Sequence, residues 1–138
     1  MFFPVQSAIA FVDALINLVQ GATDTFLAGY ISLRFMGQTR AFLGMQQWNQ
    51  TCSVEVATLP GIHGVFALLS DMLDLMRAHG GLPHWGQLLD LNGQGHGSIY
   101  PNFSKWREVY SALSNNFTAR TFENDLSVRW KLTLPHLD

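Results

Sequence analysis

The residues best suited to chemistry follow a break between two segments of helical periodicity. The run Gly80-Gly81-Leu82-Pro83-His84-Trp85-Gly86-Gln87 contains three glycines and a proline, which makes a continued helix costly. The chain is therefore predicted to present His84, Trp85 and Gln87 from a loop. An imidazole, an indole N–H and an amide can bind a polar ligand there, and His84 can also move a proton. The structural alternative is a capped loop whose tryptophan fills a core.

A carboxylate and a guanidinium form a second group of candidates. Apolar and polar residues alternate over 29–36 and again over 52–59, a period that predicts two half-buried strands. Arg34 and Glu55 lie on the polar faces of these strands. The opposite, apolar faces carry Ile31, Leu33 and Phe35 on the first strand and Cys52, Val54, Val56 and Thr58 on the second. If the strands are antiparallel neighbours, Arg34 and Glu55 approach each other, either as a structural ion pair or as a catalytic pair.

Three helices and a long connection complete the predicted elements. Apolar residues recur at helical spacing from about Pro4 to Gly21, from His63 to His79 and from Phe103 to Leu113. Asn115 and Asn116 are predicted to end the third helix, because Asn tolerates the left-handed backbone conformation. Residues 37–50 are irregular and predict a connection between the strands. Together these elements indicate an α+β fold in a single domain, 1–138, with an antiparallel sheet covered by helices.

Composition excludes several classes of function. The net charge is −2 and the eight basic residues are scattered singly, so no nucleic-acid interface is predicted. Cys52 is the single cysteine, which excludes an internal disulfide and gives no metal set. It is expected to pack as a small apolar group. The apolar N-terminal run is interrupted by Asp13 and is shorter than a bilayer requires, so no membrane insertion or targeting segment is predicted and a cytoplasmic location is favoured.

The apolar content indicates a partner. The chain is 48% hydrophobic and only 13% charged, which is more apolar than a small independent domain needs. The C-terminal segment, with Phe122, Val128 and Trp130, is also too apolar to be free and is expected to dock on a surface. Self-association or a covering polypeptide is therefore predicted.

The glycine-containing run 92–97 lacks the lysine and hydroxyl of a phosphate-binding loop, so a flexible loop is predicted there.

Several short motifs resemble one family of flavoenzymes. Pro83-His84-Trp85-Gly86 is similar to the His-Trp-Gly-Lys segment near the C-terminus of FAD-linked sugar and aldonolactone oxidases, members of the vanillyl-alcohol-oxidase superfamily. Tyr100-Pro101, followed by Phe103, Trp106-Arg107, Phe122 and Asn124, resembles the closing pattern of that family. The segments 31–35 and 51–56 resemble two strands of its substrate, or cap, domain. The resemblance runs through most of the chain, and its motifs keep the family's order.

The resemblance also implies roles for individual residues. In the related oxidases a Glu-x-Arg pair on the first of these strands and the Lys of His-Trp-Gly-Lys line the active site. Arg34 matches the Arg, whereas Ser32 stands at the Glu position and Gln87 at the Lys position. The candidate catalytic residues are Arg34, Glu55 and His84, the candidate substrate contacts are Ser32, Trp85 and Gln87, and the candidate contacts to the cofactor FAD are Arg34, His84 and Asn124.

The expected function is that of the C-terminal, cap-domain portion of an FAD-dependent oxidase. Its substrate would be a small alcohol, polyol or sugar lactone, as in D-arabinono-1,4-lactone oxidases. FAD would be held mainly by an N-terminal domain or a separate subunit that this sequence does not contain, so the isolated chain is expected to be inactive. The alternative is a non-catalytic binding domain that keeps the cap fold, consistent with the charges absent at Ser32 and Gln87.

Overall fold

The computed structural model of the protein describes residues 1–87 and 99–133. The chain divides into two compact units, one formed by Met1–Thr39 with Met45–Asp90 and the other by Arg40–Gly44 with Leu91–Asp138. The predicted glycine-containing loop at 92–97 lies outside the described residues. No helix within the described ranges is both long and apolar enough to cross a bilayer.

The first unit is a three-stranded antiparallel sheet with two helices. Its elements are β1 (Phe2–Pro4), α1 (Val5–Gly21), β2 (Gly29–Gly37), β3 (Gln50–Thr58) and α2 (Val65–Ala78). The strand order is β1-β3-β2, with β3 in the centre and antiparallel to both neighbours. The predicted α+β fold with an antiparallel sheet is confirmed. Both long helices and both predicted strands lie where the sequence periodicity put them.

The core of this unit lies between the sheet and the two helices. It consists of Phe3, Ala8, Phe11, Leu15, Cys52, Val54, Leu68, Met72, Leu73 and Met76. These residues come from one face of each element, as the helical and alternating periods require. Cys52 is free and fully buried, so it packs as an apolar group, as predicted. Burial raises the pKa of its thiol.

Strand β2 differs from the prediction in how much of its apolar face is covered. Leu33 pairs with Val54 and Phe35 with Cys52, so both side chains lie on the predicted, helix-covered face. However, Leu33 is 40% exposed and Phe35 is 68% exposed. The reason is that, among the described strands, β2 has a neighbour, β3, on one side only. Alternation indicates the face on which a side chain lies, but not the number of neighbouring strands that cover it.

Strand β1 was not predicted. The sequence assigned Pro4 to the first turn of a helix, and Pro4 is indeed the N-cap residue of α1. It is also the last residue of a short strand in which Phe3 pairs with Cys52. Three residues are too few to show a period of two, so this strand could not be recognised from its pattern.

The second unit contains α3 (Phe103–Leu113) and the short helix α4 (Asp125–Arg129). After α3, Asn115, Asn116 and Phe117 all have positive φ, at 48°, 55° and 63°, which confirms the predicted helix end. The Asn116 N–H donates to Ser111 O across this turn at 2.8 Å. Trp130 is buried, whereas Phe122 is 56% exposed.

Candidate active site

The antiparallel pairing of β2 and β3 brings Ser32, Arg34 and Glu55 together. Ser32 lies directly opposite Glu55 in the sheet, and Arg34 is two positions further along the same strand, hence on the same face. The Ser32 hydroxyl donates to Glu55 Oε2 at 3.1 Å, and Arg34 Nη2 donates to the same oxygen at 2.6 Å. The predicted approach of Arg34 and Glu55 is confirmed, and Ser32 joins them through its hydroxyl. We call these three residues the polar cluster.

The two charges of the polar cluster differ in their exposure to solvent. The Arg34 side chain is 66% exposed, whereas that of Glu55 is 27% exposed. Solvent therefore screens the ion pair, and most of the Arg34 side-chain surface is accessible. Both hydrogen bonds to Glu55 end on Oε2, which leaves Oε1 as the oxygen that can accept a bond from a ligand.

Glu55 also lines a small cavity together with the loop after α2. The cavity has a volume of about 70 Å³. Its lining includes the polar residues Glu55, His84 and Gln87 and the apolar residues Met1, Val54, Val56, Leu69, Met72, Leu73 and Pro83. Pockets that enclose a drug-sized ligand measure roughly 300–1,000 Å³, so this cavity is too small to enclose a whole ligand of that size. Glu55 thus belongs both to the cavity lining and to the polar cluster.

The loop that carries His84 is fixed by backbone hydrogen bonds. Phe2 and Leu82 exchange two such bonds, each 2.8 Å long, so Leu82 pairs with the outer side of β1. Gly81 donates to Met76 O at 2.9 Å, which closes the end of α2. Gly81 also lies against the Phe3 ring, since a Cβ built on it would be 2.3 Å from Phe3 Cε1. A side chain at position 81 would therefore push the loop away from the sheet.

Within this loop, the ring of His84 has a defined hydrogen-bonding role. The Gly86 N–H donates to His84 Nδ1 at 3.0 Å, so the proton of the neutral imidazole is on Nε2. The ring also stacks on Phe2, with 6.0 Å between the ring centroids. In this arrangement a neutral His84 ring offers a donor at Nε2.

The other predicted site residues have different surroundings. Gln87 lines the cavity, whereas Trp85 is half-buried and is not among the residues lining the described cavity. Asn124 belongs to the second unit. Its Oδ1 accepts from the Ser127 N–H and its own N–H donates to Ser127 Oγ, each at 2.9 Å. This reciprocal pair caps the start of α4, which gives Asn124 a structural role.

The sequence did not reveal that Met1, just before β1, contributes to the cavity lining. The Met1 amine donates to Val54 O at 3.0 Å, and burial lowers its pKa to about 6, opposed by the negative charge of Glu55. The contribution arises from long-range pairing of Met1 with Val54 and of Phe2 with Leu82, for which no local pattern exists. Among the described residues, no group of three or more His, Cys, Asp or Glu side chains is placed to hold a metal ion.

Comparison with known proteins defines the class to which this chain belongs. A family model described as D-arabinono-1,4-lactone oxidase matches residues 3–125, a span that includes β2, β3, the polar cluster, His84 and α3. The protein is thus an oxidoreductase of the aldonolactone oxidase type at the family level. The chain belongs to the D-arabinono-1,4-lactone oxidase family. No curated protein and no solved structure matches it significantly.

Proposed function

We propose that this chain forms the substrate side of an FAD-dependent oxidase that acts on the CH–OH group of a sugar lactone, polyol or related alcohol. Family membership supports the reaction class. The observation that carries the proposal is that Glu55 is shared between the polar cluster, where it contacts Ser32 and Arg34, and the cavity lined by His84 and Gln87. We propose that one small ligand is contacted by Glu55 as the proton acceptor, Arg34 as the cation, and His84 and Gln87 as two neutral hydrogen-bonding groups.

The proposed chemistry divides the oxidation between these side chains. Conversion of the substrate CH–OH to C=O removes a proton from oxygen and a hydride from carbon. Glu55 accepts the hydroxyl proton through Oε1, because Oε2 is already bonded to Ser32 and Arg34. His84 Nε2–H and the Gln87 amide orient the remaining oxygens of the substrate. Arg34 stabilises negative charge that appears as the reaction proceeds.

Glu55 also accounts for the most important departure from the pattern implied by the resemblance. A Glu would be expected at position 32, but Ser32 is found there. The Ser32 hydroxyl is hydrogen bonded to the Glu55 carboxylate on the adjacent strand. We propose that Glu55 supplies, from β3, the carboxylate that the related oxidases supply from β2. Gln87 in place of Lys retains a hydrogen-bonding group but is neither a cation nor a base.

Oxidases of this family are generally flavoproteins, and FAD would supply the acceptor for the hydride. What the described chain offers to a flavin is the exposed guanidinium of Arg34, which is held in place by Glu55. A fixed cation of this kind suits a ring system that gains negative charge on reduction. We propose that most contacts to FAD come from another domain or subunit, and that the substrate lies between that partner and the polar cluster.

The decisive experiment is anaerobic flavin reduction by D-arabinono-1,4-lactone and by related polyols, followed by absorbance, in the complex of this chain with its flavin-binding partner. Arg34→Ala is expected to slow reduction by about 100-fold or more, as for loss of other electrostatic contacts in a transition state. Arg34→Lys retains the charge but lacks the planar fork, so a smaller loss is expected. Arg77→Ala, which breaks an exposed ion pair on α2, is the matched control and should leave the rate unchanged.

The same experiment distinguishes the alternative of a non-catalytic binding domain. That alternative is supported by the two neutral residues, Ser32 and Gln87, at positions where the resemblance implies charges. It requires that the parent complex binds the lactone but does not reduce flavin. If the parent does reduce flavin and a folded Arg34→Ala variant does so at the same rate, Arg34 forms only a structural pair with Glu55.

A further inference from the structure

Phe2 joins the loop that carries His84 to the sheet. Its backbone exchanges two hydrogen bonds with Leu82, each 2.8 Å long. Its ring stacks on the His84 ring, with 6.0 Å between the centroids and 28° between the planes. Phe2 is 5% exposed, so the ring on which His84 packs is itself held in place by its surroundings. One residue of β1 thus contacts the loop twice, through its backbone and through its side chain.

The side chain of Phe2 lies on the same face of the sheet as the polar cluster. Phe2 pairs with Ser53 of β3, and Ser53 pairs with Arg34 of β2. Directly paired residues in neighbouring strands place their side chains on one face. Phe2, Ser53 and Arg34 therefore form one row across the sheet, and the other two residues of the polar cluster form the next row. The His84 ring thus packs on a side chain of the face that carries the polar cluster.

The turn that follows His84 holds two further atoms of this residue, its carbonyl oxygen and Nδ1. The Gln87 N–H donates to His84 O at 3.3 Å, and the Gly86 N–H donates to Nδ1 at 3.0 Å. With Nδ1 accepting this bond, the neutral ring carries its proton on Nε2. Rotation of the ring would break the bond from Gly86 and separate the ring from Phe2.

We propose that Phe2 is a positioning residue for His84: its ring holds the imidazole in one orientation, in which the turn presents Nε2–H to a substrate oxygen. This inference rests on the proposed function in one respect only, the substrate contact of His84. The two contacts of the ring have different effects. The bond from Gly86 decides which nitrogen carries the proton, and the stack on Phe2 fixes the plane of the ring. A donor that is already oriented loses little conformational entropy when the substrate binds.

The same unit contains a second pair of Phe and His rings, which provides an internal control. Phe11 packs edge-on against His79, with 5.8 Å between the ring centroids and 72° between the planes. His79 Nδ1 lies 2.9 Å from Leu75 O, and because a carbonyl oxygen only accepts hydrogen bonds, this nitrogen carries a proton. Neutral His79 and neutral His84 are therefore expected to be opposite tautomers, which one spectrum can distinguish.

Nuclear magnetic resonance of the full-length chain, labelled with ¹⁵N and ¹³C in histidine, tests the positioning role without flavin or substrate. The His84 signals are those missing from His84→Gln. At alkaline pH, where histidine is neutral, long-range ¹H–¹⁵N spectra should show His84 protonated on Nε2 and His79 on Nδ1. The order parameter of the His84 ring C–H bonds should be about 0.85, the value of a rigid group. A mobile His84 ring in the parent, or a proton on Nδ1 of His84, would overturn the proposal.

Two variants show whether Phe2 is the cause of this order. In Phe2→Leu the order parameter of the His84 ring should fall below about 0.6, because leucine offers no ring face for stacking. Phe11→Leu is the matched control: Phe11 is also buried, but it contacts His79, so the His79 signals should shift while the order of the His84 ring stays as in the parent. A His84 ring that stays equally ordered in folded Phe2→Leu would overturn the proposal.

Flavin reduction by D-arabinono-1,4-lactone, in the complex with the flavin-binding partner, tests whether the orientation of His84 affects the reaction. Phe2→Leu should slow reduction by roughly 2- to 10-fold, the factor that corresponds to loss of one aromatic pair. In a His84→Ala background the same substitution should cause no further slowing, because no ring is left to hold. Independent effects of the two substitutions would overturn the proposal. A parent complex that reduces no flavin would instead refute the proposed function, and the order of the His84 ring would then decide the positioning role.

Discussion

The coupling free energy of the ion pair between Arg34 and Glu55 tests whether Arg34 is available to a substrate. A weak coupling is expected for an available side chain and a strong coupling for a purely structural pair. The nearest charged atoms are 2.6 Å apart, a distance at which the Coulomb attraction in a water-like dielectric is about 1.6 kcal/mol. The Arg34 side chain is 66% exposed, so solvent screening applies to the pair and the entropy of holding a long side chain opposes it. The expected net coupling energy is therefore about 0.5–1 kcal/mol. Ser32 still donates to Glu55 when Arg34 is removed, so the carboxylate is not left unpaired.

A double-mutant cycle measures this coupling. The free energy of unfolding is determined by urea titration, followed by far-UV circular dichroism, for the parent, Arg34→Ala, Glu55→Gln and the double variant. Arg77→Ala and Asp74→Asn provide the control cycle, because this pair on α2 also has exposed side chains, at 31% and 71%. Similar coupling energies are expected in the two cycles. A value of ~3 kcal/mol or more for Arg34 and Glu55 would be typical of a buried structural pair and would refute the argument that Arg34 is available to a substrate.

Three further outcomes are expected. Gly81→Ala should lower the free energy of unfolding by roughly 1–3 kcal/mol, because the added Cβ would lie 2.3 Å from the Phe3 ring. Gly37→Ala is the control and should change this free energy little, because no atom lies within 4 Å of the added Cβ. Equal free energies for the two variants in urea titrations would contradict the packing argument. The Cys52 thiol should resist a chromogenic thiol reagent at neutral pH until urea unfolds the chain. Because burial raises the pKa of this thiol in the folded state, the unfolded state loses the thiol proton first. The free energy of unfolding should therefore fall as the pH rises above the ordinary thiol pKa. The isolated chain should lose FAD during purification, and a stoichiometric flavin absorbance spectrum would show that this chain alone holds the cofactor.

The elements of the fold that could be predicted are those with a repeated local pattern. The alternation around Arg34 and Glu55 gave the correct faces, and the antiparallel order then brought the two side chains together. The Asn115-Asn116 helix end was also predictable, because left-handed backbone favours Asn over most residues. In each case the deciding information lies within a few residues along the chain.

What could not be predicted depends on contacts between distant segments. The cavity beside Glu55 requires the pairing of Phe2 with Leu82, which are far apart in the sequence. The hydrogen bond from Gly86 to His84 Nδ1 depends on the shape of the loop, which glycine and proline content does not specify. The exposure of Phe35 follows from the strand order β1-β3-β2, and periodicity carries no information about which strand lies at an edge.

The two departures from the resemblance also have a common electrostatic consequence. Ser32 in place of Glu removes one negative charge, and Gln87 in place of Lys removes one positive charge, so the net charge of the site is the same as with both charged residues. Ser32 lies directly opposite Glu55 in the sheet, and a second carboxylate at position 32 would repel Glu55 at cross-strand distance. The small hydroxyl instead donates to Glu55 Oε2 at 3.1 Å. Ser at position 32 is therefore compatible with a carboxylate at position 55, whereas Glu at position 32 would disfavour it. For this reason Glu55 is the residue proposed to accept the proton.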